Sequence, residues 1–275
     1  MAQIDPVTVG SRRGLLDVLD ALQLHLPSII ICGAQAIYLQ TGNWRIRVAA
    51  STKDADIALD VRTLAGEPLV GTIMLDIGFQ PDNNWPGTHR RASDQAVVDI
   101  LVAESQAGRP SRRAAKLDVQ GDKVATRTVG LEPVLVDNDV MAVGSLESGD
   151  PRIFEVRVAG PAAMLVAKAH KIAERDRSKR ALSDKDATDV YRILDKVSVE
   201  SLDTRFRLLV SIEVSRAATK VGLELFKQLF GQEDALGVEM AVRNLSGVAN
   251  EEETRVSLFA EAEELIGSVG TWLDT

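Results

Sequence analysis

The chain has 275 residues, of which 45% are hydrophobic and 26% are charged, as in an ordinary globular protein. No apolar run approaches the length of about 20 residues that crosses a bilayer, and the first residues lack the apolar segment of a secretory signal. A single cysteine, Cys32, excludes an internal disulfide framework and a cysteine-rich zinc site. These features predict a cytoplasmic protein with no membrane partner, in which carboxylates hold any metal ion.

The formal net charge of −8 is concentrated at one end of the chain. Residues 232–275 contain ten acidic side chains and two basic ones, so the rest of the chain is balanced. Two stretches, residues 109–127 and 168–192, are rich in basic side chains. Each stretch is either a solvated surface or a track for a polyanion, and the acidic total does not exclude the second alternative.

Helical and strand-like periods alternate over the first part of the chain. Apolar residues at helical spacing predict a helix over residues 11–25, with Ser11 as its N-cap and Pro27 beyond its end. The same spacing predicts helices at residues 34–40 and 62–75. Short apolar or alternating runs predict strands, namely residues 28–32, 54–61, 96–103, 133–136 and 153–158.

After residue 160 the apolar residues follow helical spacing almost throughout. Helices are predicted at residues 161–175, 201–230 and 251–267, and another begins at Ser183, where Asp186 completes a loose capping box. The sequence therefore predicts an α/β (α+β) protein in two parts. Residues 1–159 form the α/β domain, and residues 160–275 form a mainly helical domain.

The first candidate site is the pair Asp54 and Asp56. Residues two apart in a strand point to the same face, so Asp54, Asp56 and Asp60 share one side while the apolar residues between them face the core. Two carboxylates so close repel each other unless a cation lies between them, and oxygen ligands of this kind suit Mg²⁺. The alternative is a solvated strand end or turn, where aspartate is also common.

Asp99 stands alone in the apolar run AVVDILVA at residues 96–103, which is typical of a central strand buried on both faces. A buried polar group without a partner costs about 2–7 kcal/mol, and an ion costs more. Asp99 therefore needs a compensating charge, either a cation shared with Asp54 and Asp56 or an arginine in a structural salt bridge. Three carboxylates on two strands fit the two-metal arrangement of phosphoryl transfer.

Gly33 separates the predicted strand 28–32 from the predicted helix 34–40. The first amides of a helix that begins here attract phosphate through their free N–H groups and the helix dipole. A glycine at such a turn also occurs for conformational reasons alone. Its combination with Asp54, Asp56 and Asp99 is more specific and predicts a phosphate-transfer site.

A resemblance is carried by three segments, GAQA at residues 33–36, TKDADI at 52–57 and VDI at 98–100. Together they resemble the nucleotidyltransferase fold of the DNA polymerase β type. A later segment, KAHKIAER at 168–175 through KDATD at 185–189, is similar to that of the AbiEii/MenT group, the nucleotidyltransferase toxins of abortive-infection and toxin–antitoxin systems. The resemblance covers about three fifths of the chain. It implies a mixed-sheet domain with the active cleft between it and the helical domain.

The resemblance also implies roles for individual residues. Asp54, Asp56 and Asp99 bind two Mg²⁺ ions, Lys168 contacts the nucleotide phosphates, and Asp186 or Asp189 is the acid of the helical half. The implied set for binding the NTP triphosphate is Gly33, Ala34, Thr52, Lys171 and Asp189. Ala34 departs from the family, because many members have glycine or serine after the glycine. Lys168 and Asp186 also fit simpler roles, as a solvated lysine and as a helix-start acid.

The implied reaction is Mg²⁺-dependent transfer of a nucleoside monophosphate from NTP to an acceptor hydroxyl. By resemblance the acceptor is the 3′ end of tRNA, the protein is a growth-arresting toxin, and a cognate antitoxin is a possible partner. One alternative is nucleotidylation of a small molecule or a protein, and another is a binding module without catalysis. Trp85, in the NNWPG segment at residues 83–87, either stacks a ligand beside the site or packs within its loop.

Overall fold

The computed structural model describes residues 5–46, 52–108, 113–177 and 183–273. An eight-stranded mixed sheet forms in the first part of the chain, and after Ala159 the described elements are all helices. The predicted α/β class and the mainly helical C-terminal region are therefore confirmed. The division into domains at residue 159 stays a prediction.

The sheet has parallel and antiparallel neighbours. Its strands are β1 (Ile29–Cys32), β2 (Ala55–Leu59), β3 (Phe79–Pro81), β4 (Thr88–Arg91), β5 (Val97–Ala103), β6 (Thr126–Thr128), β7 (Asn138–Gly144) and β8 (Ile153–Ala159). The order across the sheet is β3-β4-β5-β2-β1-β8-β7, and β6 pairs in parallel with the second half of β5. The central pair β2–β5 is parallel, whereas β1 is antiparallel to β2.

Helices lie on the sheet in the first part and on one another in the second. They are α1 (Pro6–Ala21), α2 (Gly33–Thr41), α3 (Val70–Asp76), α4 (Pro161–Arg177), α5 (Asp184–Lys196), α6 (Val199–Ser211), α7 (Glu213–Phe230), α8 (Leu236–Leu245) and α9 (Glu251–Leu273). All four residues of β1 are buried, as are the leucines on one face of α1. This apolar layer fixes the position of the turn from β1 into α2.

The start of α1 differs from the prediction. The helix begins at Pro6 and ends at Ala21, and Asp5 is its N-cap, accepting a hydrogen bond of 2.9 Å from the amide of Val7. Proline suits the first helical turn because its missing N–H is not needed there. Ser11, predicted to be the N-cap, is a buried residue inside the helix. Residues 23–28 form a separate 3₁₀ helix.

Two other predicted elements are wrong for reasons of proline chemistry and local turns. Residues 133–136 are predicted to be a strand, but Glu132–Leu135 is a 3₁₀ helix, since Pro133 suits a first helical turn and cannot donate to a sheet ladder. The helix predicted for residues 62–75 begins only at Val70. Before it, the Asp60 carboxylate accepts from the Arg62 amide at 3.2 Å, which stabilises a turn.

The helical region also contains breaks that the periodicity conceals. Residues 201–230 are not one helix, because Ile212 is extended between α6 and α7. The buried Ser215 hydroxyl donates to the carbonyl of Leu209 at 2.6 Å and so satisfies an acceptor at the break. Ser183 is the N-cap residue of α5, but its side chain makes no capping bond, so the predicted capping box is absent there.

None of the helices in the described parts of the chain combines the length and apolar character that a membrane crossing requires. Four side chains of the two basic stretches lie outside the described residues, namely Arg109, Arg112, Lys179 and Arg180.

Glu261 on α9 provides a test of the helical packing. Its Oε1 accepts from the Ser257 hydroxyl at 3.0 Å, while its buried Oε2 has no hydrogen-bond partner among the described residues. Burial raises the pKa of Glu261 to about 7, with a further rise from Asp195 and an opposing effect of Arg45. The folded protein therefore holds this proton more tightly than the unfolded chain does. Ionisation costs stability as the pH rises from about 4 to about 7.

We expect Glu261→Gln to unfold at higher urea concentration than the wild type at pH 8, with the difference disappearing as the pH falls toward 4. Glu263→Gln, an exposed acid on the same helix, is the matched control. A gain for Glu261→Gln that is independent of pH would contradict the burial argument.

Candidate active site

Four adjacent strands place the candidate site residues in one row across the sheet. Cys32 at the end of β1 pairs with Asp56 of β2, Asp56 pairs with Asp99 of β5, and Asp99 pairs with Thr88 of β4. Neighbouring strands lie about 4.8 Å apart, and directly opposed residues point to the same face. Asp56 and Asp99 are therefore immediate neighbours, with Gly33 next to them where β1 becomes α2.

Gly33 is in direct contact with Asp56. Its φ of +66° lies in the left-handed region, and a Cβ added there would lie 1.9 Å from Oδ2 of Asp56. Any side chain at residue 33 would displace the carboxylate. The glycine is therefore required both by the turn and by the position of Asp56.

Asp99 lies on the less buried face of β5. Val98, Ile100 and Val102 are fully buried, but Asp99 and Leu101 on the other face are partly exposed. The prediction of a strand buried on both faces is therefore wrong. That face is partly open because it carries the row of polar residues, not a second apolar layer.

The carboxylates of the row are held in an unfavourable environment. Burial raises the pKa of Asp56 to about 7, with further contributions from Asp54 and Asp99. Burial also raises the pKa of Asp99, against a hydrogen bond from Thr88, and the charge of Asp54 adds to the rise. Both shifts mean that the three aspartates are close enough to repel one another.

Asp99 has an acceptor atom without a partner. Among the described residues its Oδ1 is buried without a hydrogen bond, and Arg90, whose charge acts on Asp99, forms its ion pair with Asp82 at 2.9 Å. The predicted alternative of a structural salt bridge to Asp99 is therefore absent in the part of the chain that the structure describes. An orphaned carboxylate oxygen beside two other acids is a feature that a cation would satisfy.

Asp54 precedes β2 and is positioned by α1. The Thr52 hydroxyl donates to Oδ1 of Asp54 at 3.1 Å, and the Ser11 hydroxyl donates to the carbonyl oxygen of Asp54 at 2.7 Å. Gln35 of α2 donates to Ser11 at 2.9 Å and accepts from Nε of Arg12 at 2.6 Å. This buried network links α1, α2 and the segment of Asp54, and it fixes the backbone of that aspartate.

Ser11 is predicted from the sequence only as an N-cap, and the buried roles of Thr8 and Arg12 are not predicted. Thr8, Ser11 and Arg12 continue the spacing of the buried leucines of α1, and all three are buried. Polar residues on the buried stripe of an amphipathic helix are the signal that could have identified them, because such residues need internal partners.

Lys168, Asp186 and Asp189 form a buried ion cluster between α4 and α5. The Lys168 ammonium donates to Asp186 at 2.6 Å and to Asp189 at 2.7 Å. Lys171 and Arg175 contact the same Asp186 carboxylate at 3.2 Å and 3.4 Å. Although burial opposes it, the two carboxylates hold the pKa of Lys168 far above its usual value, and the pKa of Asp186 is low because Lys168 and the other cations outweigh its burial.

The ion cluster lies near the row of aspartates. The charges of Lys171 and Lys168 both favour the ionised form of Asp56, which places them within electrostatic reach of its carboxylate. Lys171 has a side chain 49% exposed, whereas Lys168 is 6% exposed. Lys171 is thus the member of this pair with a surface available to a ligand.

Ala34 and Thr52, the remaining predicted nucleotide-binding residues, are both buried. Ala34 is 7% exposed and lies in the first turn of α2, where it can offer only its backbone amide. The N-cap Cys32 makes no side-chain hydrogen bond to the start of the helix. Thr52 is buried and holds Asp54. Burial raises the pKa of the Cys32 thiol well above its usual value, as expected for a core residue.

The donor set suits Mg²⁺ chemically, since it consists of carboxylate oxygens of which one is orphaned. In the described residues, no three His, Cys, Asp or Glu side chains are already grouped as a metal-binding set. The three acids therefore supply the ligand type that Mg²⁺ prefers without being grouped as a metal site.

Comparison of the chain with protein-family models, with curated proteins and with solved structures finds no match.

Gly33→Ala tests the contact with Asp56. We expect it to lower the free energy of unfolding by about 1–3 kcal/mol, because it combines a left-handed φ with the displaced carboxylate. Urea denaturation measures the change.

A double-mutant cycle separates the two causes. In an Asp56→Ala background we expect Gly33→Ala to cost less, because only the backbone strain and the contact with the remaining Cβ are left. Gly10→Ala on α1, where an added Cβ meets nothing within 4 Å, is the control and should be neutral or slightly stabilising. Equal costs in both backgrounds would contradict the contact.

Lys168→Met tests the ion cluster. We expect it to lower the free energy of unfolding by about 3–5 kcal/mol, because it leaves two buried carboxylates without their central cation. Lys171→Met, at the half-exposed member, should cost at most about 1 kcal/mol. Chemical denaturation of both variants measures the difference, and similar costs would show that Lys168 is not the centre of the cluster.

Proposed function

We propose that the protein is a Mg²⁺-dependent nucleotidyltransferase that moves a nucleoside monophosphate from an NTP to an acceptor hydroxyl. The observation that carries this proposal is the juxtaposition of Asp54, Asp56 and Asp99 beside Gly33 at the start of α2. It unites acids that suit Mg²⁺ with a helix start that suits phosphate. This is the site that phosphoryl transfer requires.

Asp54, Asp56 and Asp99 would hold the magnesium ions. When bound, Mg²⁺ supplies positive charge that stabilises the negative charge on the phosphate oxygens during transfer. The Thr52 and Ser11 hydroxyls orient Asp54, and Gly33 gives the Asp56 carboxylate its place.

The proposed chemistry is a single displacement. The acceptor oxygen forms a bond to the α-phosphorus of the NTP, the bond from that phosphorus to the bridging oxygen breaks, and pyrophosphate leaves. The hydroxyl proton passes to water, and Asp99, whose buried Oδ1 has no partner among the described residues, would help to activate the acceptor hydroxyl as a ligand of the ion.

The triphosphate is proposed to bind at the first amides of α2 and at Lys171. Ala34 adds a backbone amide there but no hydroxyl. Lys168, Asp186 and Asp189 are proposed to act as a group, in which the buried Lys168 fixes the two acids and Asp186 in turn orients Lys171 toward the site. Lys171 thereby supplies a positioned cation for the phosphates.

The acceptor is proposed to be RNA, in particular the 3′ end of tRNA, and the protein a cytoplasmic toxin of a toxin–antitoxin or abortive-infection system. Arg113, Lys116 and Lys123 are exposed in the first basic stretch and can follow a phosphate backbone. The acidic residues 232–275, including the first turn of α9, offer a surface of complementary charge to a basic antitoxin.

Asp56→Asn tests the assignment directly. We expect the variant to fold, because a neutral amide removes repulsion, and to transfer nucleotide about a thousandfold more slowly, which corresponds to a loss of several kcal/mol of charge stabilisation. The measurement is incorporation of label from each of the four NTPs into total cellular RNA in the presence of Mg²⁺. Asp76→Asn, at an exposed acid at the end of α3, is the control.

The acceptor that takes up label distinguishes the possible functions. Label in protein or in a small molecule, with RNA unlabelled, would retain the transferase and replace its acceptor. A folded Asp56→Asn variant with unchanged transfer would overturn the assignment of the carboxylates. Nucleotide binding without transfer to any of the three fractions would identify a binding module.

A further inference from the structure

An exposed tryptophan lies on a well-defined turn next to the row of aspartates. Trp85 is 51% exposed. Its amide donates to Oδ1 of Asp82 at 3.2 Å, as does the amide of Asn84 at 2.9 Å, and its carbonyl accepts from the amide of Thr88 at 3.1 Å. The turn is therefore held by the Asp82 carboxylate and by the backbone bond to Thr88, while half of the Trp85 side chain remains exposed.

The end of the turn is locked to the sheet at Gly87. Its carbonyl accepts from the amide of Ile100 at 2.8 Å, at the point on β5 between the segments that pair with β4 and with β6. A Cβ at Gly87, which has a φ of +79°, would lie 2.4 Å from the backbone nitrogen of Thr126. The Thr126 hydroxyl also donates to the carbonyl of Pro86. The backbone that carries Trp85 is therefore held in place by the sheet, although the side chain itself is exposed.

Arg113 completes a flat, positively charged surface with Trp85. Its guanidinium carbon lies 5.3 Å from the centroid of a Trp85 ring, within the range of a cation–π interaction. Lys116 and Lys123 are exposed in the same segment, and the Gly87 amide donates to the Lys123 carbonyl at 3.3 Å. A π face beside a guanidinium suits a nucleobase together with a phosphate.

The turn of Trp85 leads directly into the strand that pairs with Asp99. Asp82, which holds the turn, pairs with Arg90 at 2.9 Å, and the charge of Arg90 acts on Asp99. Thr88, three residues after Trp85, is the register partner of Asp99. Three residues span at most about 11 Å. This maximum backbone span from Trp85 to Thr88 equals the length of about three stacked nucleotides at about 3.4 Å each.

We propose that Trp85 and Arg113 form a stacking platform for an unpaired base near the 3′ end of the RNA acceptor. The proposal rests on the proposed function, because it takes Asp99 as the group that faces the acceptor hydroxyl. The platform lies on the β4 side of Asp99, whereas Gly33 and α2 lie on the β1 side. The donor nucleotide and the acceptor strand thus approach the acids from opposite sides.

Fluorescence of Trp85 tests the platform without catalysis. The probe is a single-stranded hexaribonucleotide with a free 3′ hydroxyl, added in EDTA so that no transfer occurs. We expect it to quench the wild-type protein and to leave Trp85→Phe unquenched. Trp85→Phe should keep its affinity, measured by anisotropy of labelled RNA, because phenylalanine retains a stacking face. Trp85→Ala should bind about tenfold or more weakly, as expected for the loss of one base–aromatic stack.

The helical region offers a matched control. Trp272 also lies under an arginine, with the Arg207 guanidinium carbon 4.7 Å from its ring centroid, and its indole donates to Asp203 at 2.6 Å. Trp272→Phe should retain both the quenching and the affinity. Arg113→Ala should weaken binding and reduce its dependence on salt, because it removes one cation from the surface.

The outcomes separate this proposal from the function on which it rests. Equal RNA affinity of Trp85→Ala and the wild type would overturn the platform. Transfer to RNA that depends on Asp56 but shows an unchanged KM for RNA in Trp85→Ala would also overturn the platform, while leaving the proposed function intact. Quenching by the hexanucleotide without any transfer to RNA would support the platform and remove the proposed reaction. Equal quenching by free ATP, at the same affinity as the hexanucleotide, would assign the surface to the incoming nucleotide and overturn it as an acceptor site.

Discussion

The carboxylates of Asp54, Asp56 and Asp99 repel one another, and the surrounding backbone prevents them from separating. The pairing of β2 with β5 sets Asp56 opposite Asp99, and the contact with Gly33 limits the movement of Asp56 toward α2. The Ser11 hydroxyl of α1 fixes the backbone of Asp54 by donating to its carbonyl oxygen. Three acids adjacent in one row and an orphaned oxygen on Asp99 cost stability, and this cost is the physical reason for assigning them a ligand.

The nearest basic residues do not resolve this repulsion. Lys168 has its charge balanced by Asp186 and Asp189 within hydrogen-bond distance, so it screens the aspartates from outside and does not pair with them. Lys171 shares the Asp186 carboxylate. The basic side chains of the ion cluster and the row of aspartates are therefore opposite in charge, but they form no ion pair with each other among the described residues. In the proposed function the acids would hold a magnesium ion and Lys171 would contact the triphosphate, since a cation suits the acids and an anion suits Lys171.

The parts of this arrangement that were predictable from sequence are those set by local pattern. The apolar run of β1, the glycine after it and the alternation around Asp56 identify two strands and a helix within one or two residues of their bounds. Strands β3, β4 and β6 have three or four residues each. Strands β4 and β6 form by pairing with β5, and β3 forms by pairing with β4, so no local period reveals them. The partners of Lys168 and the network from Ser11 to Arg12 depend on how helices pack, which one sequence does not specify.

The pairing register gives the site a direction that the sequence alone lacks. Cys32, Asp56, Asp99 and Thr88 follow one another across four strands, so the start of α2 lies at one end of the row and the turn of Trp85 lies beyond the other. Asp56 is the carboxylate nearest the helix start, and Asp99 is the one nearest the exposed indole. A displacement needs its leaving group and its nucleophile on opposite sides of the phosphorus. A linear row with different chemistry at its two ends meets that need, whereas three acids clustered at the end of a single strand would not.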